Sequence, residues 1–366
     1  VCPIQIDGAS GTLIGAPFPG QSDARISPDL QISHSRYSFS RPAFYGDPRF
    51  FASIGRGGRS GRTGTKRQAC SLRDNRRTHK EALFMAQSNP TTVTLPTGEA
   101  IPKLGQGTWE MGERPGARKS EIAALREGVE LGMTLIDTAE MYGDGESEKL
   151  IAEALGDRRD ELFIVSKVYP HNGSERGVQA ACERSLKRLK TDRIDLYLLH
   201  WRGGEDLEGV VAGFEKLKGD GKIRHWGVSN FDTDDLEELF SIDGGDACAT
   251  DQILYNVARR GPEFDLLPWL RERRMPAMAY SPVDHARLPR GGALEKIASA
   301  RGVSAFQIAL AWVLQQPQVF AIPKAADVAH VRENRAALDL HLSADELADI
   351  DQQFKPPKSK RSLEML

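Results

Sequence analysis

Cysteine is scarce in this sequence. The 366 residues hold four, Cys2, Cys70, Cys182 and Cys248, and no two are spaced as C-x-x-C. That excludes a zinc ribbon and a disulfide framework, no metal is expected, and a reducing, cytoplasmic setting is the expectation. Long apolar runs are missing too. None approaches the roughly 18 residues of a spanning helix, so no membrane partner is expected. No apolar stretch follows a basic start, which argues against a secretory signal. Charge of one sign is also lacking overall: the net is -2, so the average surface does not advertise nucleic acid or anionic lipid. Finally, the turn G-x-G-x-x-G occurs nowhere in the chain, which weighs against a doubly wound nucleotide-binding sheet.

What charge there is lies unevenly. Residues 1–84 carry 13 Lys and Arg against 6 Asp and Glu, a net of +7, and the rest of the chain is net -9. The run from Ile54 to Arg67 is almost all Gly, Ser, Thr and Arg with no apolar period. Such a segment buries too little surface to offset chain entropy. Residues 1–88 are therefore read as a mostly disordered basic extension, and 89–366 as the folded domain. Three meanings compete for the extension: a tail that binds RNA or acidic partners, an organelle transit segment, or sequence that is not native protein. The third is preferred, because Met85-Ala86-Gln87-Ser88 reads as an ordinary start just before order begins; the transit segment comes second.

From Thr91 onward the pattern is regular. Thr91–Pro96 and Ala100–Pro102 flank Thr97-Gly98-Glu99, a small hairpin. Eight short apolar strands follow, at Leu104–Thr108, Thr134–Asp137, Leu162–Val168, Ile194–His200, Ile223–Ser229, Ala249–Ile253, Pro276–Tyr280 and Val319–Pro323. Helical stripes stand between them. Ile122, Leu125 and Val129 share a face before Gly132. Ser174 caps a helix whose Val178, Cys182, Leu186 and Leu189 face the core, so Cys182 is packing rather than chemistry. Asp232 caps another, and Ser343 with Glu346 forms a capping box for a last helix that is extra to the eight units. Eight strand–helix units in ~270 residues point to an α/β fold, a (β/α)8 TIM barrel with an N-terminal β-hairpin and an extra C-terminal helix.

In such a barrel the chemistry sits at the C-terminal ends of the strands. There the second strand ends in Asp137 and runs into Tyr142, the third ends in Lys167, and the fourth in His200. Alternation puts Lys167 in phase with Val165 and Phe163, and His200 in phase with Leu198 and Leu196. Singly, each has an ordinary reading as a solvated, turn or core residue. Together they make a proton donor. A phenol is a weak acid, with a reference pKa of about 10; a cation beside it stabilises the phenolate and lowers that value. Lys167 supplies the cation, Asp137 holds it, and His200 hydrogen-bonds the reacting oxygen. The set suits protonation of a carbonyl oxygen while a hydride reaches carbon.

These residues resemble the aldo-keto reductases over about residues 92–352. The match is carried by Leu135-Ile136-Asp137-Thr138-Ala139-Glu140-Met141-Tyr142-Gly143, by Lys167, by Leu198-Leu199-His200-Trp201, and by Gly221-Lys222-Ile223-Arg224 leading to Gly227-Val228-Ser229-Asn230-Phe231. Gly105-Gln106-Gly107-Thr108-Trp109 and His200-Trp201-Arg202-Gly203 are closest to the bacterial subgroup that looks like methylglyoxal reductases. The resemblance implies NADPH-dependent reduction of an aldehyde or ketone, with Asp137, Tyr142, Lys167 and His200 as catalytic residues and Tyr142 as general acid. It implies that Ser229, Asn230 and Gln252 hold the carboxamide, that Tyr280 stacks on the nicotinamide, and that Ser281 lies near the pyrophosphate. Lys324 would meet the 2′-phosphate, Glu333 and Asn334 the adenine, and Thr108 and Trp109 the mouth. Two departures stand out. Ala325 follows the lysine where many relatives have a hydroxyl residue, and His330 aligns where they place an arginine. NADPH is therefore expected to be preferred over NADH less steeply than usual. The expected partner is a small carbonyl compound, with no nucleic acid for the barrel and a monomer favoured. Two other functions fit the bare residues: a Schiff-base aldolase using Lys167, and a regulatory subunit that senses redox state through NADPH and turns over slowly.

Overall fold

The computed structural model describes residues 90–288 and 291–366. The basic extension at 1–88 lies outside the described residues, and so do its aromatic positions.

A two-stranded antiparallel hairpin comes first, β1 (Thr92–Thr94) and β2 (Ala100–Pro102). Gly98 takes the left-handed φ of +89° that its turn needs. Eight parallel strands then follow in chain order around one sheet: β3 (Gln106–Gly107), β4 (Leu135–Asp137), β5 (Phe163–Val168), β6 (Ile194–Leu199), β7 (Ile223–Ser229), β8 (Asp251–Leu254), β9 (Ala277–Tyr280) and β10 (Val319–Ala321). The seam closes through parallel bridges of Leu104 with Ala321 and of Gly107 with Lys324. Gly105 N–H donates to Ala321 O at 2.9 Å and Gly107 N–H to Pro323 O at 3.1 Å. A Cβ on Gly107 would lie 2.7 Å from the Ile322 carbonyl oxygen, so the seam needs glycine there. The fold is the (β/α)8 barrel that the strand count implies.

Strand alternation sorts the core into two layers. Leu135, Phe163, Val165, Leu196, Leu198, Ala249, Met278 and Phe320 fill the barrel, and Val93, Leu95 and Ile101 of the hairpin join them. The hairpin thus plugs the floor of the barrel. Glu99 in its turn fastens it, accepting from Arg224 at 2.7 Å and lying 2.8 Å from His225 Nε2. The opposite faces of the strands (Ile136, Ile164, Tyr197, Leu199, Val228) pack against the helices with Cys182, Phe214 and Trp312.

The helical caps read from the sequence are present: Ser174 on Glu175–Leu189, Asp232 on Thr233–Phe240, and the Ser343–Glu346 box on Ala344–Gln353. The barrel also has a helix that the strand–helix count missed. Between β9 and β10 stand two helices, Ala293–Arg301 and Ala305–Gln315. The second has a Ser304–Gln307 capping box and a run, Ile308 to Leu314, buried on every side, so it shows no amphipathic period. Among the described residues no single helix is long and apolar enough to cross a membrane.

Candidate active site

The four strand-end residues meet at the C-terminal mouth. Lys167 projects from β5 into the barrel, fully buried, because Phe163, Val165 and Lys167 share the inward face. Its Nζ donates to Asp137 Oδ2 at 2.9 Å, to Thr138 O at 2.8 Å and to Tyr142 Oη at 2.8 Å. Tyr142 reaches this point because the loop after β4 turns sharply behind it. Gly143, Asp144 and Gly145 have φ of 56°, 54° and 84°, a left-handed run that two glycines make affordable in strain. His200 follows β6 and sets its ring 5.9 Å from that of Tyr142. Its Nδ1 is buried without a hydrogen-bond partner among the described residues.

Burial dominates the electrostatics. It lowers the Lys167 ammonium and raises the Asp137 carboxyl, and their mutual attraction opposes both shifts. The Tyr142 phenol is pushed well above its ordinary value by burial and then by the charge of Asp137. Burial thus works against the lowering that the sequence expects from Lys167, whose Nζ lies 2.8 Å from the phenol oxygen. Tyr142 therefore carries its proton near neutrality. Burial, with Lys167 second, holds the His200 imidazole well below its usual value, so it is neutral.

The other candidate residues surround this group. Ser229 Oγ donates to Gln252 O at 2.9 Å. Asn230, held at φ 58°, donates to His200 O at 3.2 Å and accepts from Tyr280 Oη at 2.9 Å. Burial pushes the Tyr280 phenol up to about 12. Ser281 Oγ lies 2.7 Å from His285 Nε2. Thr108 is buried rather than open to the mouth: its hydroxyl donates to Asp137 O at 2.9 Å and accepts from Ser147 at 2.8 Å. Trp109 is 38% exposed and meets the Tyr142 ring edge to face, the ring centroids 4.9 Å apart. Lys324 is exposed and pairs with no carboxylate among the described residues. His330, Glu333 and Asn334 stand on the helix Val328–Ala337, where His330 pairs with its own N-cap, Asp327, at 2.5 Å. Arg332, one step along, is taken by Glu127 at 2.7 Å.

One contact has no signal in the sequence. Gln252 Nε2 donates to Asp137 Oδ1 at 2.7 Å, across the barrel and 115 positions away.

A buried cation hydrogen-bonded to a phenol, beside a neutral imidazole, is an arrangement chemically able to give a proton to an oxygen. Residues 103–354 match the model of the Aldo/keto reductase family. The chain is 52% identical over 272 residues to methylglyoxal reductase YeaE of Escherichia coli (strain K12), covering 73% of this chain and 96% of that protein. It is 33% identical to glyoxal reductase of Bacillus subtilis (strain 168), covering 73% of this chain and 94% of that protein. An aldo/keto reductase from Klebsiella pneumoniae, crystallised with NADP and acetate, superposes with a TM-score of 0.74 at 48% identity over 75% of this chain and 99% of that one. The chain belongs to the aldo/keto reductase family.

Proposed function

We propose that this protein reduces small aldehydes, methylglyoxal-like 2-oxoaldehydes among them, with NADPH as reductant and Tyr142 as general acid. The observation that carries the reading is the Lys167 Nζ, within 2.9 Å of Asp137 and 2.8 Å of the Tyr142 hydroxyl. The chain as a whole is 52% and 33% identical to relatives named as a methylglyoxal reductase and a glyoxal reductase.

The residues present fit the dinucleotide. Lys324 offers an exposed cation to a phosphate, with no carboxylate partner among the described residues, Tyr280 a ring at the end of β9, and His200 a buried Nδ1 with no partner among the described residues. Bound NADPH supplies the hydride. The chain supplies the rest. His200, neutral, orients the carbonyl oxygen by donating a hydrogen bond to it. Tyr142 gives that oxygen its proton. Lys167, held by Asp137, steadies the phenolate that the transfer leaves, so the charge developing on Tyr142 meets a fixed cation in a water-poor site. Trp109 forms part of the opening through which the carbonyl enters.

The Schiff-base alternative needs a free amine, whereas Lys167 is engaged by Asp137, Thr138 and Tyr142. The test is a panel of small carbonyls with NADPH and NADH, following absorbance of the reduced cofactor. Tyr142→Phe should keep NADPH binding and lose about 10²–10⁴-fold in turnover. A variant with full activity would overturn the assignment, and tight NADPH binding with negligible turnover on every aldehyde would favour the regulatory reading.

A further inference from the structure

Asp137 has two carboxylate oxygens and each has one side-chain donor. Oδ2 takes Lys167 at 2.9 Å, and Oδ1 takes the Gln252 amide at 2.7 Å. Both Asp137 and Gln252 are only 2% exposed, so no solvent replaces either bond. The amide orientation is fixed by chemistry: an ionised Asp137 accepts and cannot donate, so Gln252 must turn its nitrogen, not its oxygen, toward it. Gln252 itself is held by the strand. Its backbone carbonyl accepts from Ser229 Oγ at 2.9 Å and from Asn230 N–H at 2.9 Å. A continuous chain of hydrogen bonds therefore runs Gln252–Asp137–Lys167–Tyr142, from β8 through the barrel to the proton donor.

We propose that Gln252 is a positioning residue for proton transfer: its amide keeps Asp137 ionised and aimed at Lys167, and so keeps Lys167 against the Tyr142 hydroxyl. The groups facing Asp137 are Lys167 from β5, Tyr142 from the loop after β4, and Gln252 from β8, while Glu148 contributes charge from behind Lys167. Gln252 is the neutral donor in that set. Its loss leaves the buried carboxylate with one donor fewer, which favours the protonated acid.

Two measurements test this on the full chain. The first is the carboxyl carbon resonance of Asp137, identified as the signal missing from Asp137→Asn and followed against pH. In Gln252→Met its midpoint should move up by about one to two pH units, the worth of one hydrogen bond to a charged group. In Gln252→Glu a second carboxyl meets Asp137, and the pair should titrate in two steps with one well raised. The second is kcat against pH, which rests on the carbonyl-reductase reading: the acid limb should shift up with the resonance. A packing role would lower kcat by the same factor at every pH. An unmoved Asp137 midpoint in both variants, or an unmoved limb with active enzyme, would overturn the proposal. Absence of turnover in the unaltered protein would instead overturn the reductase reading, and the resonance would still decide this one.

Discussion

Lys167→Met separates the two roles that a buried cation can have. Lys167 is wholly buried and its Nζ makes three hydrogen bonds within 2.9 Å. Replacing it leaves Asp137 as a buried carboxylate held by Gln252 alone. Breaking a buried ion pair from one side costs about 3–5 kcal/mol, which for a folded part of this size is a drop in melting temperature on the order of 10 °C. The cost depends on pH with a defined sign. Asp137 already has a raised folded value, and losing its cation raises it further. The folded state then binds more protons than the unfolded one between the ordinary and the raised values. Stability falls as pH rises through that window, so the deficit should be larger at pH 8 than at pH 5. The double variant Lys167→Met, Asp137→Asn removes both charges and should recover most of the stability at pH 8. Turnover should stay about 10²–10⁴-fold low in both, since neither has a cation for Tyr142. Calorimetric melts at two pH values and a turnover assay suffice. A double variant no more stable than the single one would refute the ion-pair argument, and near-normal turnover in either would refute the role given to Lys167.

Asp251 makes a second pH prediction. It is fully buried, and among the described residues its Oδ2 has no partner and Oδ1 takes only a 3.5 Å contact from Phe231 N–H. Burial pushes it well above the ordinary carboxylate range, so stability should decline as pH rises. Asp251→Asn should melt higher than the parent at pH 8, with the gap closing at pH 5; equal gaps at both would refute it. NADPH should bind more tightly than NADH, with the preference shrinking as salt increases. Lys324→Ala should bring the two dissociation constants together, and an unchanged ratio by fluorescence titration would dismiss Lys324 as the phosphate contact. A chain begun at Met85 should fold, bind NADPH and turn over like the full chain, since every candidate site residue lies beyond position 107. A melting temperature several degrees lower would show that the basic extension is structural.

The inward direction of Lys167 and His200 was legible because a strand has a period of two, and the apolar residues two and four places before them mark the barrel face. The caps were legible because Ser and Asp at helix starts satisfy donors that have no other partner. Other features depend on sums or distances that no local pattern carries. The upward push on the Tyr142 phenol comes first from burial, and burial is a property of the finished barrel. The bond from Gln252 to Asp137 joins β8 to β4 across the interior, where spacing along the chain says nothing. The helix at Ala305–Gln315 lacks a polar face, so periodicity could not find it, although its capping box was in view.

The hairpin at the floor gives the site its traffic rule. With Val93, Leu95 and Ile101 packed into the base of the barrel and Glu99 tied to Arg224 and His225, the floor end of the barrel is stoppered. Under the proposed reaction, the two reactants would both come to the strand-end mouth. Whichever sits deeper there would have to arrive first and leave last, an order that a stopper touching neither reactant would help to impose.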